Sequence, residues 1–291
     1  MTCVRPSRFA CVTVISLLNF TSLAGAQGPT RLHPGFNLFS KDQDVQLGQE
    51  TAAEVRKKMV VIKDPVLTAY VNKVGKRLAA SQEAQDSGFP FTFEVVADPS
   101  INAFALPGGP MFINTGLLKA VDNEAQLAGV MGHEMSHVIL RHGTNQASKA
   151  QLFELPAILS QQMGQGSMLG QLAAAGIQLG TGGVLLKFSR SAESQADLMG
   201  SHLMAEAGYN PMELAHFFEK LNTPGGQGAP EFLSDHPNPN HREQAIEAEA
   251  ARLPARNYTY QTGDFGHIKQ IASQIKEPRP KPQPLSGQQQ Q

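Results

Sequence analysis

Polar and apolar positions divide the chain into helices gathered around one short β region. Ser40 followed by Gln43 has the form of a capping box. It opens a helix to about Met59, with Val45, Leu47, Ala52, Val55 and Met59 as the apolar positions. Asp64-Pro65 is a second start, a cap with proline at the first helical position. Val66, Tyr70, Val74 and Leu78 then recur every four residues, which marks one helical face. Residues 91–97 are rich in β-formers and read as a strand. Residues 103–106 and 111–114 are shorter strand candidates on either side of the turn cluster Pro107-Gly108-Gly109-Pro110. Asp122 or Asn123 caps a helix through Leu127, Val130, Met131 and Val138 that stops at Gly143. A further helix spans about 189–207 and ends at Gly208. Asn210-Pro211 starts another, with Leu214, Phe217, Phe218 and Leu221 on one face. A proline- and glycine-rich loop follows over 223–240, then a helix over 241–253. The pattern predicts an α+β fold, mainly helical, with a small β-sheet.

Four segments stand apart. Arg5 and Arg8, an apolar run over 11–20 and Ala24-Gly25-Ala26 together read as a secretory signal peptide over residues 1–26. Residues 27–39 read as irregular. Residues 155–186 hold no charged side chain but seven glycines and five glutamines. That makes the stretch a poor membrane span and favours a buried or lid-like helical hairpin over a cleft, with membrane-surface contact and insertion as alternatives. Residues 276–291 carry four prolines and a terminal glutamine run, and read as a disordered tail. What lies between, 40–275, is one domain.

Composition narrows the chemistry. The formal net charge of the 291 residues is −1, and it becomes −3 once Arg5 and Arg8 leave with the leader. No basic field exists to hold a polyanion, so a nucleic-acid partner is disfavoured. The two cysteines, Cys3 and Cys11, lie within the leader. The exported chain therefore has no disulfide, no thiol nucleophile and no cysteine-ligated metal.

The candidate chemistry is His133-Glu134-Met135-Ser136-His137, inside the helix over 122–143. Histidines at i and i+4 share one helical face and reach one metal ion. Glu134 stands beside that ion, free to act as general base and acid. The surrounding Val130, Met131, Val138, Ile139 and Leu140 indicate a buried helix, where polar side chains need partners. Catalytic zinc usually has three protein ligands, so a carboxylate or histidine must come from another element. Position 143 is Gly143, which excludes the metzincin spacing. Glu193 is the best candidate, because Asp197 follows at i+4 and can hold a ligand histidine from behind.

In these residues the chain resembles the gluzincin metallopeptidases of the HtpX and BepA type, which include the CAAX prenyl protease and the mitochondrial overlapping-activity protease. The resemblance rests on His133-Glu-x-x-His137 with Glu193-x-x-x-Asp197. It extends to the runs 102–109, 114–118, 123–130, 137–142, 207–211 and 234–242, and covers about residues 40–253. The exported BepA-like branch is the nearest in character, without its tetratricopeptide repeats. The resemblance implies a zincin-type domain with its small sheet beside the His133–His137 helix. It implies one zinc per chain on His133, His137 and Glu193, Glu134 as general base and acid, and Asp197 orienting a ligand histidine. His236 and Arg242 match the family's histidine-proline loop, with His236 either a reversible fourth ligand that makes the enzyme latent or a group facing the oxyanion. Arg242 is a second oxyanion candidate. The segment 111–114, with Phe112, Ile113 and Asn114, resembles the family's edge strand, where a substrate backbone would add as a further strand.

The expected function is a periplasmic zinc endopeptidase acting on unfolded or misassembled envelope proteins, with the outer-membrane assembly machinery as a candidate partner. The alternative from another class is a chaperone-like assembly or quality-control factor for outer-membrane proteins with a mostly latent site. A purely structural zinc domain fits less well, because such sites are closed and cysteine-rich.

Overall fold

The computed structural model describes residues 28–158, 178–180, 183–185, 188–222, 232, 236–237 and 241–278. The expected leader and most of the uncharged stretch lie outside the described residues.

Helix α1 (Lys41–Lys58) starts at the expected capping box, with Gln43 N–H donating to Ser40 Oγ at 3.1 Å and Ser40 N–H to Gln43 Oε1 at 2.7 Å. In α2 (Pro65–Leu78), Asp64 accepts from the backbone of Val66 and Leu67. Its buried stripe is Leu67, Val71, Val74 and Leu78, whereas Val66 is exposed. The even four-residue spacing misplaces the start of this stripe, because each step of four overshoots one turn by about 40°. A short α3 (Gln82–Ser87) leads into the β region.

The sheet contains β1 (Thr92–Val96), β2 (Ala103–Ala105) and β3 (Pro110–Asn114), in the order β1–β3–β2. β1 runs parallel to β3, with Val95 opposite Ile113. β2 runs antiparallel to it, with Phe104 opposite Phe112. The segment expected at the edge is thus the central strand: Phe112, Ile113 and Asn114 are buried and flanked on both sides. The edge is β2. Leu106 N–H bonds to Pro110 O and Asn114 N–H to Asn102 O. The alternation of an antiparallel ladder then turns the backbone groups of Ala103 and Ala105 away from β3. Gly108 (φ 76°) makes the turn between β2 and β3, and a Cβ there would lie 2.4 Å from Val45 Cα.

After α4 (Thr115–Ala120) comes α5 (Glu124–Ile139), capped by Asn123 and buried along its whole length. It is the axis of the domain, packed against β2, α2, α7 (Arg190–Glu206) and α8 (Met212–Asn222). Its N-terminus is clamped by the buried Glu124 carboxylate, which accepts from Tyr70 Oη, Tyr209 Oη, Thr262 Oγ1 and Thr262 N–H. A carboxylate at this end also opposes the helix dipole.

Helix α5 does not run to Gly143. It stops at Leu140, and Arg141 takes a left-handed conformation (φ 55°). Its side chain is fixed there by Asp44 Oδ2 and Phe39 O, each at 2.6 Å. Helix α6 (His142–Ile158) follows directly. Within the uncharged stretch, where a helical hairpin is expected, residues 155–158 end α6 and the other described residues form antiparallel β4 (Gln178–Gly180) and β5 (Gly183–Leu185), the rest of the expected hairpin lying outside the described residues. Helices α9 (Arg242–Ala250) and α10 (Phe265–Gln274) complete the fold. Within the expected tail, Glu277 is fixed by Lys119 and Thr115 of α4, and residues 279–291 lie outside the described residues. No helix among the described residues is long and apolar enough to cross a membrane.

Candidate metal centre

Helix α5 presents His133, Glu134 and His137, and α7 crosses it presenting Glu193 and Asp197 one turn apart; all five are buried. The two helices meet at Gly132 and Gly200, where a Cβ on Gly200 would lie 3.1 Å from His133 N. This close approach lets short side chains bridge the helices. His133 Nδ1 is 3.0 Å from Asp197 Oδ1, and His133 Nε2 is 3.2 Å from Glu193 Oε2. His137 Nε2 lies 3.1 Å from His133 Nε2 and 3.5 Å from Glu193 Oε1.

His236 enters the same space. Its Nδ1 is 3.2 Å from Glu193 Oε1 and 3.4 Å from His133 Nε2, and its Nε2 is 3.3 Å from Glu134 Oε1. Its ring stacks on Phe232 at 4.6 Å. One donor atom from each of His133, His137, Glu193 and His236 falls within 4.8 Å of the others. Three ring nitrogens and a carboxylate converge on one small buried space. One cation among them satisfies all four, and nitrogen with carboxylate oxygen is a donor set that zinc accepts. Beside it, Glu134 Oε1 is buried and makes no hydrogen bond among the described residues, its contact being the ion-pair approach of His236 Nε2 at 3.3 Å. The residues therefore fit a metal ion and a polar group at Glu134.

Charge inside the site is balanced over short distances. Burial pulls the His133 imidazole down, but the Asp197 and Glu193 carboxylates outweigh it and raise it to about 9. Burial pushes Glu193 up, yet His236 and His133 more than offset this and hold it well below the usual carboxylate range. Burial raises Glu134, partly countered by His236, His133 and the backbone of Ala105. Burial drives His137 well below 6.5.

Arg242 is placed differently from the oxyanion role expected of it. Its buried guanidinium donates from Nε to Asp197 Oδ2 at 2.6 Å and from Nη2 to Glu193 Oε2 at 2.9 Å. It also lies 3.7 Å over the Phe218 ring. Two of its donors are thus committed to holding carboxylates; only Nη1 is without a partner among the described residues. Phe112, Ile113 and Asn114 are not brought to the cluster's surface; Ala105 of β2 is the strand residue that faces Glu134.

Sequence reasoning placed His142 in the matching run 137–142 without a role and missed Gln195. His142 Nδ1 lies 3.0 Å from His137 Nδ1, and its Nε2 lies 3.1 Å from Gln195 Oε1. Burial pushes His142 down to about 4. It also missed Phe188, which stacks on His137 at 3.9 Å. A polar residue just beyond His137 was the available signal for His142; the other two carried none.

Comparison with known proteins agrees with this geometry. The beta-barrel assembly-enhancing protease of Escherichia coli is 34% identical over 207 residues, 69% of this chain and 42% of that protein. The mitochondrial metalloendopeptidase OMA1 of Schizosaccharomyces pombe is 31% identical over 238 residues, 80% of this chain and 67% of that one. The Arabidopsis thaliana protein of the same name is 28% identical over 230 residues, 78% and 46%. The chain spans less than half the length of the beta-barrel assembly-enhancing proteases it matches. The model of Peptidase family M48 matches residues 65–250, which hold every residue of the cluster, and the chain belongs to that family.

Proposed function

We propose that the chain is a zinc-dependent endopeptidase, and the observation that carries this is the convergence of His133, His137, Glu193 and His236 beside the buried Glu134 Oε1. His133 Nε2, His137 Nε2 and a Glu193 carboxylate oxygen would hold the ion. Zinc bound there supplies Lewis acidity toward a carbonyl oxygen and makes water more acidic.

The chain's own groups do the rest. Asp197 accepts from His133 Nδ1–H and leaves Nε2 as the donor, and Arg242 keeps both carboxylates in place. Glu134 Oε1 takes the proton of the attacking water and passes it to the leaving amine nitrogen. Its raised proton affinity suits both transfers. An extended peptide would add as a further strand beside β2, the edge of the sheet. Unfolded segments meet that requirement, and folded ones do not. Export by the expected leader and the name of the beta-barrel assembly-enhancing relatives together favour unfolded or misassembled envelope proteins as substrates, in the periplasm.

His236 favours a second state of the same site. With Nδ1 already among the ligand atoms it occupies a fourth donor position, which in a catalytic zinc site is left open. His236 would thus act as a latch, and a latched protein would hold unfolded clients without cutting them, as the chaperone-like reading requires.

The test uses the purified chain with casein or a denatured outer-membrane protein. It should contain about one zinc, and Glu134→Gln should keep the zinc and lose cleavage. Cleavage by Glu134→Gln at the parent rate would overturn the mechanism. Stable client binding with no cleavage by either protein would favour the chaperone.

A further inference from the structure

The two histidines of α5 are backed differently. His133 has a carboxylate behind it, Asp197. His137 has another imidazole, His142, which in turn faces the side-chain amide of Gln195 on α7. This contact does not arise from helix geometry. Residues five apart in a continuous helix point about 140° away from each other, so His137 and His142 would diverge. The helix instead breaks between them at Arg141, a left-handed residue without the freedom of glycine. Arg141 is held there from outside, by Asp44 and Phe39 of the N-terminal region. Only with that break does the buried His142 ring meet His137 at hydrogen-bond distance. A strained backbone that brings two rings together is the kind of arrangement found where geometry serves a site.

We propose that His142 is the positioning residue for His137: protonated at Nε2 and donating to Gln195 Oε1, it accepts the Nδ1–H of His137 at its own Nδ1. His137 is thereby fixed as the tautomer whose Nε2 lone pair faces Glu193 and His133. This rests on the zinc reading given above. It adds that the metal site is held from two sides, by a carboxylate behind one ligand and by a neutral imidazole behind the other. The second support adds no charge to the site, and it ties α6 to α7 through Gln195.

The experiment compares the full chain with His142→Asn and His142→Leu. Asparagine places Oδ1 near the position of Nδ1 and keeps an acceptor for His137; leucine fills similar space without one. The readouts are the zinc dissociation constant, by competition with a chromogenic chelator, and the thermal stability of the zinc-free proteins. His142→Leu should bind zinc about 10- to 100-fold more weakly, and His142→Asn should stay within about threefold of the parent. Equal affinity in all three proteins would overturn the proposal. So would parallel losses in both variants that follow the loss of zinc-free stability, because a purely structural role predicts that. In the zinc-loaded parent, nitrogen NMR of the rings should find the His142 proton on Nε2; a proton on Nδ1 would overturn the proposal even if the affinities agreed. A parent chain that binds no zinc would fail the zinc reading itself, a result distinct from either failure of His142.

Discussion

Replacing Arg242 by methionine tests the frame of the site most directly. Arg242 is 1% exposed, and its two committed donors reach Asp197 and Glu193 at 2.6 and 2.9 Å. Methionine keeps much of the stem that packs on Phe218 but removes the charge. Two buried carboxylates one turn apart on α7 are then left with less positive charge to balance them. Removing one partner of a buried ion pair in this way costs about 3–5 kcal/mol, mostly as the penalty of the charge left behind. For a domain of this size each kcal/mol lowers the midpoint by about 2–4 °C, so the zinc-free variant should melt about 6–20 °C below the parent. The assay is thermal unfolding of chelator-treated protein near neutral pH. Arg242→Lys keeps the charge but not the planar fork, and should fall between the two. The double variant Arg242→Met with Asp197→Asn should be less destabilised than the two single losses predict, by about 1–3 kcal/mol, because one charge no longer lacks its partner. An Arg242→Met protein that melts within about 2 °C of the parent would refute the reasoning, since it would mean that the carboxylates find water or another cation at no cost.

The other predictions concern the latch, the helix crossing and a buried histidine away from the site. His236→Ala should raise the rate of casein cleavage if the ring occupies the fourth donor position; an unchanged or abolished rate argues against the latch. Gly200→Ala should lower zinc affinity, measured by chelator competition, because the added methyl would sit 3.1 Å from His133 N and force α5 and α7 apart; unchanged affinity with a higher melting point would refute this. Burial lowers His202, but Glu83 of α3 and Glu249 of α9 outweigh it and raise its pKa above 6.5. Its stabilisation is therefore fully present below about pH 6.5 and is lost as pH rises through the raised folded value, so the deficit of His202→Gln in thermal unfolding should shrink between about pH 6 and about pH 9. A deficit that grows over that range would contradict the assignment.

The sequence disclosed what is local. Helix starts at Ser40–Gln43, Asp64-Pro65, Asn123 and Ser189 were legible because each cap lies within three residues of the group it satisfies. Gly208 was legible as a stop because its φ of 76° suits glycine alone. The break at Arg141 was not, because a contact with Asp44, 97 residues away, imposes it. Strand order was not legible either. Residues 103–106 and 111–114 have the same character, and only pairing with β1 makes β3 central and leaves β2 at the edge. Helices α3, α4, α6 and α10 were missed. Asn114 makes no side-chain cap for α4, which leaves β3 without a break, while α10 rests its apolar face on α4 and α2 from a distant part of the chain. In the site, the histidine pair could be read from its spacing, and Asp197 followed from Glu193 by one helical turn. Arg242 as a clamp and His142 as a backing group depend on helices crossing, which no spacing encodes.

Close packing on α8 also explains why α5 carries glycine at 129, where a buried helix would gain from alanine. Gly129 and Gly132 lie three residues apart, and glycine within a helix costs about 1 kcal/mol relative to alanine. A Cβ on Gly129 would lie 3.1 Å from Leu214 Cα of α8, and a Cβ on Gly132 would lie 3.4 Å from Gly200 O of α7. Gly129 therefore sets the approach of α8, whereas on the α7 side the tight position is Gly200, whose Cβ would lie 3.1 Å from His133 N. The second approach has chemical consequences, because aspartate is short. Asp197 reaches His133 Nδ1 at 3.0 Å and still accepts from Arg242 at 2.6 Å only because the two backbones meet at Gly132 and Gly200. A wider crossing would require glutamate at 197, with one more rotatable bond to immobilise and less control over the plane of the His133 ring. The stability forgone at Gly200 of α7 is thus tied to the precision of the ligand geometry, and that glycine belongs to the site as much as the residues whose side chains form it.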